Sequence, residues 1–300
     1  MEKLMHPGRF VFWCFLLFMC GFAVSPVYSR DSSPPRRIVS LAPHITEIVF
    51  KLGAGDHLVG RTDFCNYPAA AASIESVGGY LNIDFEKIVR LQPDLVLQFP
   101  NAENRRKLES LGFRVAGISN ETVADILNGI RETGKLLGRS QRAEEIVNGI
   151  QDTLRQIENN FAHQSESLPA LLVVGREPGS LKGLYVAGKN TYLSELLRYC
   201  GVRNAFDDVP MKYFSLSTES LFQHQIDLIF EFHPGWKLTP GCLVKEKDVW
   251  QIVPHLNAVK RGNIFIFSER FYLIPGPRIA RMALEFSRIV RKIRREQTRK

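Results

Sequence analysis

Residues 82–99 read NIDFEKIVRLQPDLVLQF, and residues 215–232 read SLSTESLFQHQIDLIFEF. At a fixed offset of 133, Glu86 falls on Glu219, Gln92 on Gln225, Asp94 on Asp227, Leu95 on Leu228 and Phe99 on Phe232. The pairs Ile88/Leu221, Val89/Phe222 and Val96/Ile229 keep their apolar character. Solenoid repeats run about 20 to 50 residues. An offset of 133 is domain-sized, so the chain reads as two related lobes.

Each copy has one local grammar. A short polar residue, Asp84 or Ser217, is placed to cap a helix, and a Glu two positions on sits where the helix dipole favours an anion. An apolar helical pattern follows, then an Asp, then about four apolar residues that suit a strand buried on both faces. Such helix-to-strand units build α/β sheets. The expected fold class is therefore α/β, two lobes each with a mainly parallel sheet flanked by helices.

Working outward, the first lobe spans residues 36–138. It has strands at Ile38 to Leu41 and Leu58 to Arg61, a helix from Thr46 closed by Gly53, and a long loop TDFCNYPAAAASIESVGGY before the organising unit. Loops of that length are more often functional than accidental. In residues 139–163, Ile146, Ile150, Leu154 and Ile157 recur at helical spacing with polar residues between them. That pattern predicts one unbroken amphipathic helix linking the lobes. The second lobe, residues 168–300, opens with a strand at Ala170 to Val174. It echoes the first helix at Tyr192 to Gly201, so that Glu195 matches Glu47, and predicts a helix over 248–259, a strand at Ile264 to Phe267 and a closing helix from Pro277.

The bulk properties fit a globular chain: 300 residues, 45% hydrophobic and 23% charged, enough for two cores. Lys3 and Arg9 precede an uncharged run from Val11 to Val24, shorter than the roughly 20 residues that span a bilayer. Residues 1–29 read as a secretory signal peptide, with a lipid anchor on Cys20 or an uncleaved anchor as alternatives. The net charge of +8 does not point to nucleic acid. Without residues 1–29 it is +7, and residues 288–300 alone carry seven basic side chains against Glu296. That tail reads either as a solvated helix end or as a patch for anionic headgroups. Cys65, Cys200 and Cys242 remain in the mature chain, and their spacing chooses no disulfide.

Catalytic signatures are missing. There is no G-x-S-x-G, no H-E-x-x-H and no phosphate-binding glycine loop, and the seven histidines form no close ligand pair, which speaks against an enzyme and against a bare-metal site. The loops after strands instead collect aromatics and arginines: Phe64, Tyr80 and Phe99 in the first lobe, Arg176, Tyr213, Arg270 and Phe271 in the second. Ligands of α/β sheets bind beyond the strand C-termini. Aromatic walls suit a large, flat, partly apolar ligand, and arginines suit its anionic groups. His44 and His233 also follow strands. Glu86 and Glu219, one per lobe, are what a dimeric partner with two identical basic pockets needs.

At this point RRIVSLAPHITEIVFKLGAGDHLVG, NIDFEKIVRLQPDLVLQF, YLSELLRYCGVRNAF and PGPRIA, with the long linking helix, resemble the periplasmic substrate-binding proteins for vitamin B12, ferric siderophores and haem. The resemblance covers nearly all of residues 36–295. It implies a monomeric periplasmic receptor, not an enzyme, with no cofactor of its own. A metal chelate would be held between the lobes and delivered to an ABC permease dimer at the inner membrane. By motif position, Glu86 and Glu219 would dock the two permease subunits. Among subfamilies the chain is most similar to cobalamin binders, whose cleft aromatics fall on Phe64, Tyr80, Phe99 and Tyr213. Arg176 and Arg270 would equally suit an anionic ferric siderophore, and haem would need an axial ligand from Tyr80, Tyr213 or His233. Alternatives of other kinds are a free zinc or manganese receptor and a periplasmic enzyme on the same scaffold.

Overall fold

The chain enters its first sheet at β1 (Ile38–Ser40) and turns into α1 (Pro43–Lys51), where Pro43 sits in the first turn and sacrifices no helical hydrogen bond. Gly53 stops this helix at φ 75°, a left-handed conformation that costs glycine no Cβ clash. β2 (Leu58–Arg61), α2 (Phe85–Leu91), β3 (Leu95–Gln98), α3 (Ala102–Ser110) and β4 (Val115–Gly117) complete the first lobe's sheet. All pairs are parallel, in the order β2-β1-β3-β4. This computed structural model describes residues 33–164 and 166–298. The expected signal peptide and the two final basic residues lie outside the described residues.

α4 (Val123–Leu136) begins with a capping box between Thr122 and Asp125. α5 (Ser140–Phe161) then runs 22 residues without interruption, about 33 Å at the usual rise. It buries the four apolar residues that its spacing singles out, Ile146, Ile150, Leu154 and Ile157. The second lobe holds β5 (Leu168–Gly175), β6 (Tyr185–Ala187), α6 (Tyr192–Tyr199), β7 (Val202–Asn204), β8 (Tyr213–Ser215), β9 (Leu228–Phe232), α7 (Pro240–Asp248), α8 (Asn257–Lys260), β10 (Ile264–Phe267) and α9 (Ile279–Thr298). Its sheet has the order β10-β9-β5-β6-β8, with β7 also on β5. β10, β9, β5 and β7 are parallel, and β6 pairs antiparallel with both β5 and β8. The α/β fold class expected from the sequence stands, with the second sheet mixed.

The alternation of each strand sorts its side chains between two cores. Ile38, Leu95 and Leu97 of the first sheet and Ala170, Leu172, Leu228 and Phe230 of the second face one continuous core. That core also takes in α4, α5, α6 and α9, with α5 packed against the other three. Val39 and Val96 face away into a small core with Ile88 and Leu108. Leu171, Val173 and Ile229 face another beside Trp250. A single apolar layer therefore runs from one lobe into the other, and residues from Pro34 onward form one compact unit.

Two local expectations fail. Asp84 caps α2 through the Lys87 N–H at 3.0 Å, but the second copy forms only a five-residue 3-10 turn, Glu219–Gln223. Where the first copy has Lys87, Arg90 and Leu91, the second has Ser220, Gln223 and His224. Ser217 does cap the Ser220 N–H, yet His224 is already extended, its ring bonded to the Ala205 carbonyl at 3.1 Å, and the turn ends there. The helix expected over 248–259 is broken into a 3-10 turn and α8, because Pro254 cannot continue a helix. Cys65, Cys200 and Cys242 are all free.

Candidate functional site: a cleft between the lobes

The C-terminal ends of the strands open on a cleft of about 300 Å3 to which both lobes contribute. Pro43, Glu47, Phe64, Asn66 and Tyr67 come from the first lobe, and Glu269, Arg270, Phe271, Arg278 and Arg281 from the second. The first-lobe rings stand in solvent: Phe64 is 59% exposed and Tyr67 51%. Phe271 is buried behind them and belongs to the core as well.

Arg278 organises this site. Its Nε donates to Glu47 Oε2 at 2.8 Å and a second guanidinium nitrogen meets Glu47 Oε1, a bidentate pair between lobes. The guanidinium also stacks 4.1 Å from the Tyr67 ring centre and 5.1 Å from Phe271, while Arg281 covers Phe271 at 4.5 Å. The Glu47 side chain is 3% exposed and that of Arg278 18%. Burial pushes the Glu47 carboxyl above the usual range, and Arg278 opposes that rise. Beside it, burial lowers His44 to about 4, partly offset by its bond to the Ile118 carbonyl.

Glu195, which echoes Glu47 in the sequence, makes the mirror contact. It accepts the Val123 N–H at 2.7 Å at the start of α4, in the opposite lobe. Next to it the Tyr192 N–H donates to the Glu121 carbonyl at 2.7 Å, and Lys212 pairs with Glu121 at 3.1 Å. Each lobe thus sends one carboxylate across to the other, Glu47 buried and Glu195 half-buried.

Of the expected ligand residues, Phe64, Arg270 and Phe271 line the cleft. Tyr80 is exposed in the same loop as Phe64, where the Asp63 N–H donates to the Gly78 carbonyl. Phe99 and Tyr213 are half-buried outside the cleft lining, with Tyr213 stacked on Tyr185 and its hydroxyl pushed up by burial. Arg176 and His233 are not among the residues that line the cleft. The Arg176 side chain is fully buried, paired with Glu231 at 2.7 Å and Glu246 at 2.9 Å, and bonded to the Ser180 carbonyl. His233 also bonds Glu231 and stacks on Trp236 at 3.6 Å, and the Trp250 indole N–H donates to the other oxygen of Glu231 at 2.8 Å. This buried network engages the Arg176 guanidinium and the Nε2 of His233. Among the described residues no three His, Cys, Asp or Glu side chains converge as a metal site would need.

Sequence reasoning missed Glu47, Asn66, Tyr67, Arg278 and Arg281. Arg278 stood in the quoted PGPRIA, and Tyr67 in the long loop. Nothing in a linear reading pairs Glu47 with a residue 231 positions away.

Glu86 and Glu219 are both exposed. Glu86 lies in the first turn of α2. Glu219 is held below the usual carboxylate range, first by its own backbone N–H and then by the Ser217 hydroxyl, so it is charged at neutral pH.

Two α/β lobes bridged by one long helix, with a shared cleft walled by aromatic rings and arginines, define a receptor for a small molecule. Residues 38–270 match the periplasmic binding protein family, and the chain belongs to it. A vitamin B12-binding protein of Vibrio vulnificus is 31% identical over 263 residues, covering 83% of this chain and 88% of its own. The crystal structure of the periplasmic vitamin B12 binding protein of Vibrio cholerae superposes with a TM-score of 0.72 at 24% identity, covering 86% of this chain and 97% of its own. An ABC transporter substrate-binding protein from Listeria monocytogenes gives a TM-score of 0.72 at 23% identity, over 86% and 98% of the two chains. The protein is a periplasmic binding protein, and not an enzyme.

Proposed function

We propose that the protein captures cobalamin or a related corrinoid across the inter-lobe cleft and hands it, as a monomer, to a permease dimer of the inner membrane. The observation that carries this reading is the wall of the cleft. Phe64 and Tyr67 stand exposed on one lobe, opposite Phe271 on the other, with arginines between them. Flat apolar faces with polar edges match such a wall. At about 300 Å3 the cleft is at the small end for ligand sites, so a macrocycle would rest across its mouth against the exposed rings. The B12-binding relative lends further support. In this reading residues 1–29 are removed on export, residues 36–138 and 168–300 are the two lobes, and Glu86 and Glu219 meet the permease.

One observation favours a second reading. Arg270, Arg278 and Arg281 outnumber Glu47 and Glu269 in the cleft, which suits an anionic ferric siderophore or haem. Titrating the mature protein with cyanocobalamin, haem and ferric siderophores, followed by intrinsic fluorescence and competition, separates the two. Tight cyanocobalamin binding that haem does not displace is expected. Binding of the iron chelates alone would replace the corrinoid reading, and binding of none would refute both.

A further inference from the structure

In the repeated unit one apolar pair fills a core and the next does not. Ile88 and Leu221, equivalent at the offset of 133, are both fully buried. Their neighbours Val89 and Phe222, also equivalent, both point outward, 45% and 63% exposed. Each sits three residues after the glutamate of its copy. On an α-helix that spacing shares a face, and on a 3-10 turn the two side chains eclipse. Glu86 with Val89 and Glu219 with Phe222 are therefore two copies of one exposed motif, a carboxylate beside an apolar side chain.

Core packing does not explain the second copy. Phe222 lies flat on the His255 ring, 3.9 Å between centres and 16° from parallel, which holds it in place while leaving most of it in water. Both ring nitrogens of His255 are buried without a hydrogen-bond partner. Ile252, three residues earlier, is 65% exposed. An ordered aromatic ring left in water, matched by an exposed apolar side chain at the equivalent position of the other copy, marks a contact surface. The end of α2 lies by the start of β1, where the Arg37 side chain bonds the Leu91 carbonyl, so Glu86 at its beginning lies toward the C-terminal ends of the strands.

We propose, resting on the docking role given above to Glu86 and Glu219, that each lobe grips one permease subunit through a two-part contact. The carboxylate meets a cation, and the apolar side chain at the third position enters an adjoining apolar pocket. A partner with two equivalent subunits requires equivalent patches on the two lobes, which this repeat supplies. The patches are unequal in size, so Phe222 is the main anchor and Val89 the lesser one.

The experiment measures binding of the mature, cyanocobalamin-loaded protein to the vitamin B12 permease dimer of the same bacterium in nanodiscs, beside its affinity for cyanocobalamin. Phe222→Gln is expected to weaken permease binding about 30-fold, as loss of an interface anchor does, and Val89→Gln about fivefold. Affinity for cyanocobalamin and unfolding temperature should stay at the wild-type values. If both apolar variants bind the permease within twofold of wild type while Glu86→Lys and Glu219→Lys abolish binding, the carboxylates act alone and this inference is wrong. If the charge reversals also bind normally, the docking reading itself fails. A dimer of the mature protein that Phe222→Gln dissolves would place a second copy on the patch and overturn the proposal.

Discussion

Replacing Arg278 by Met tests whether the cleft depends on its cross-lobe ion pair. The substitution keeps most of the apolar stem and removes the guanidinium, stranding Glu47 with a side chain only 3% exposed. Breaking a buried pair from one side costs about 3–5 kcal/mol, because a desolvated charge loses its partner. Glu47 also loses what opposes the upward shift of its carboxyl, so it takes up a proton at higher pH and recovers part of the cost in acid. Urea unfolding followed by circular dichroism reads the effect. With a slope near 3 kcal/mol/M, the midpoint should fall by about 1–2 M at pH 7.5. The double variant Glu47→Gln/Arg278→Met should regain most of the loss, since no charge is left buried. Arg142→Met, which breaks an exposed pair with Glu145, should cost less than about 1 kcal/mol. If Arg278→Met costs no more than Arg142→Met, the pair is as weak as a surface bridge and does not brace the lobes.

Further perturbations address other parts of the structure. His44 has a folded-state value of about 4 against 6.5 in the free side chain, so its contribution is complete above pH 6.5 and is lost as pH falls toward 4, about 3 kcal/mol in all. His44→Gln should flatten that acid limb in a pH series of urea midpoints, and an unchanged limb would refute the assignment. Glu231→Gln should destabilise the second lobe by about 3–5 kcal/mol, since Arg176 and His233 both lean on that carboxylate, with chelate affinity unaltered in the folded fraction. Lost affinity at unchanged stability would return Arg176 to the binding site. Leu154→Ala in α5, at 2% exposure, should cost about 2–5 kcal/mol by calorimetry, and a cost under 1 would show that the linking helix is not packed as described.

What the sequence carried was periodic or repeated. The 3.6-residue spacing of Ile146, Ile150, Leu154 and Ile157 defines α5, and the apolar runs ending at Phe99 and Phe232 mark β3 and β9. The turn Glu219–Gln223 escaped this reading because its apolar pattern survives while its helix-forming residues do not, and a tertiary bond from His224 decides the outcome. Strands β6 and β8 have three residues each, too few to display a period of two. In the site, exposed rings such as Phe64 were legible from an over-long loop. Arg176 and His233 looked like ligand residues because they follow strands. The alternation of β9 instead turns Glu231 inward, where it holds them both. An alternation rule applied to the charged residue of LIFEF would have flagged a buried carboxylate in need of partners.

The braces between the lobes bear on how a ligand enters. A protein that closes around its cargo needs a hinge, a few loop or element-terminal residues that absorb a large change in backbone angle. Here the connection is α5, 22 residues of unbroken helix whose apolar face lies in the core that both sheets share. Rotating one lobe away from the other would tear that face from α4, α6 and α9 and expose Ile146, Ile150, Leu154 and Ile157. It would also break the Glu47 to Arg278 pair and the bond from the Val123 N–H to Glu195. Such a rotation costs far more than the few kcal/mol separating conformers that interconvert freely. The cleft is therefore largely pre-formed, with the Tyr67 ring packed on Arg278 before a ligand arrives. Pre-organisation of this kind lowers the ordering cost of binding. It favours a ligand broad enough to touch Tyr67 and Arg270 at once without the lobes having to move.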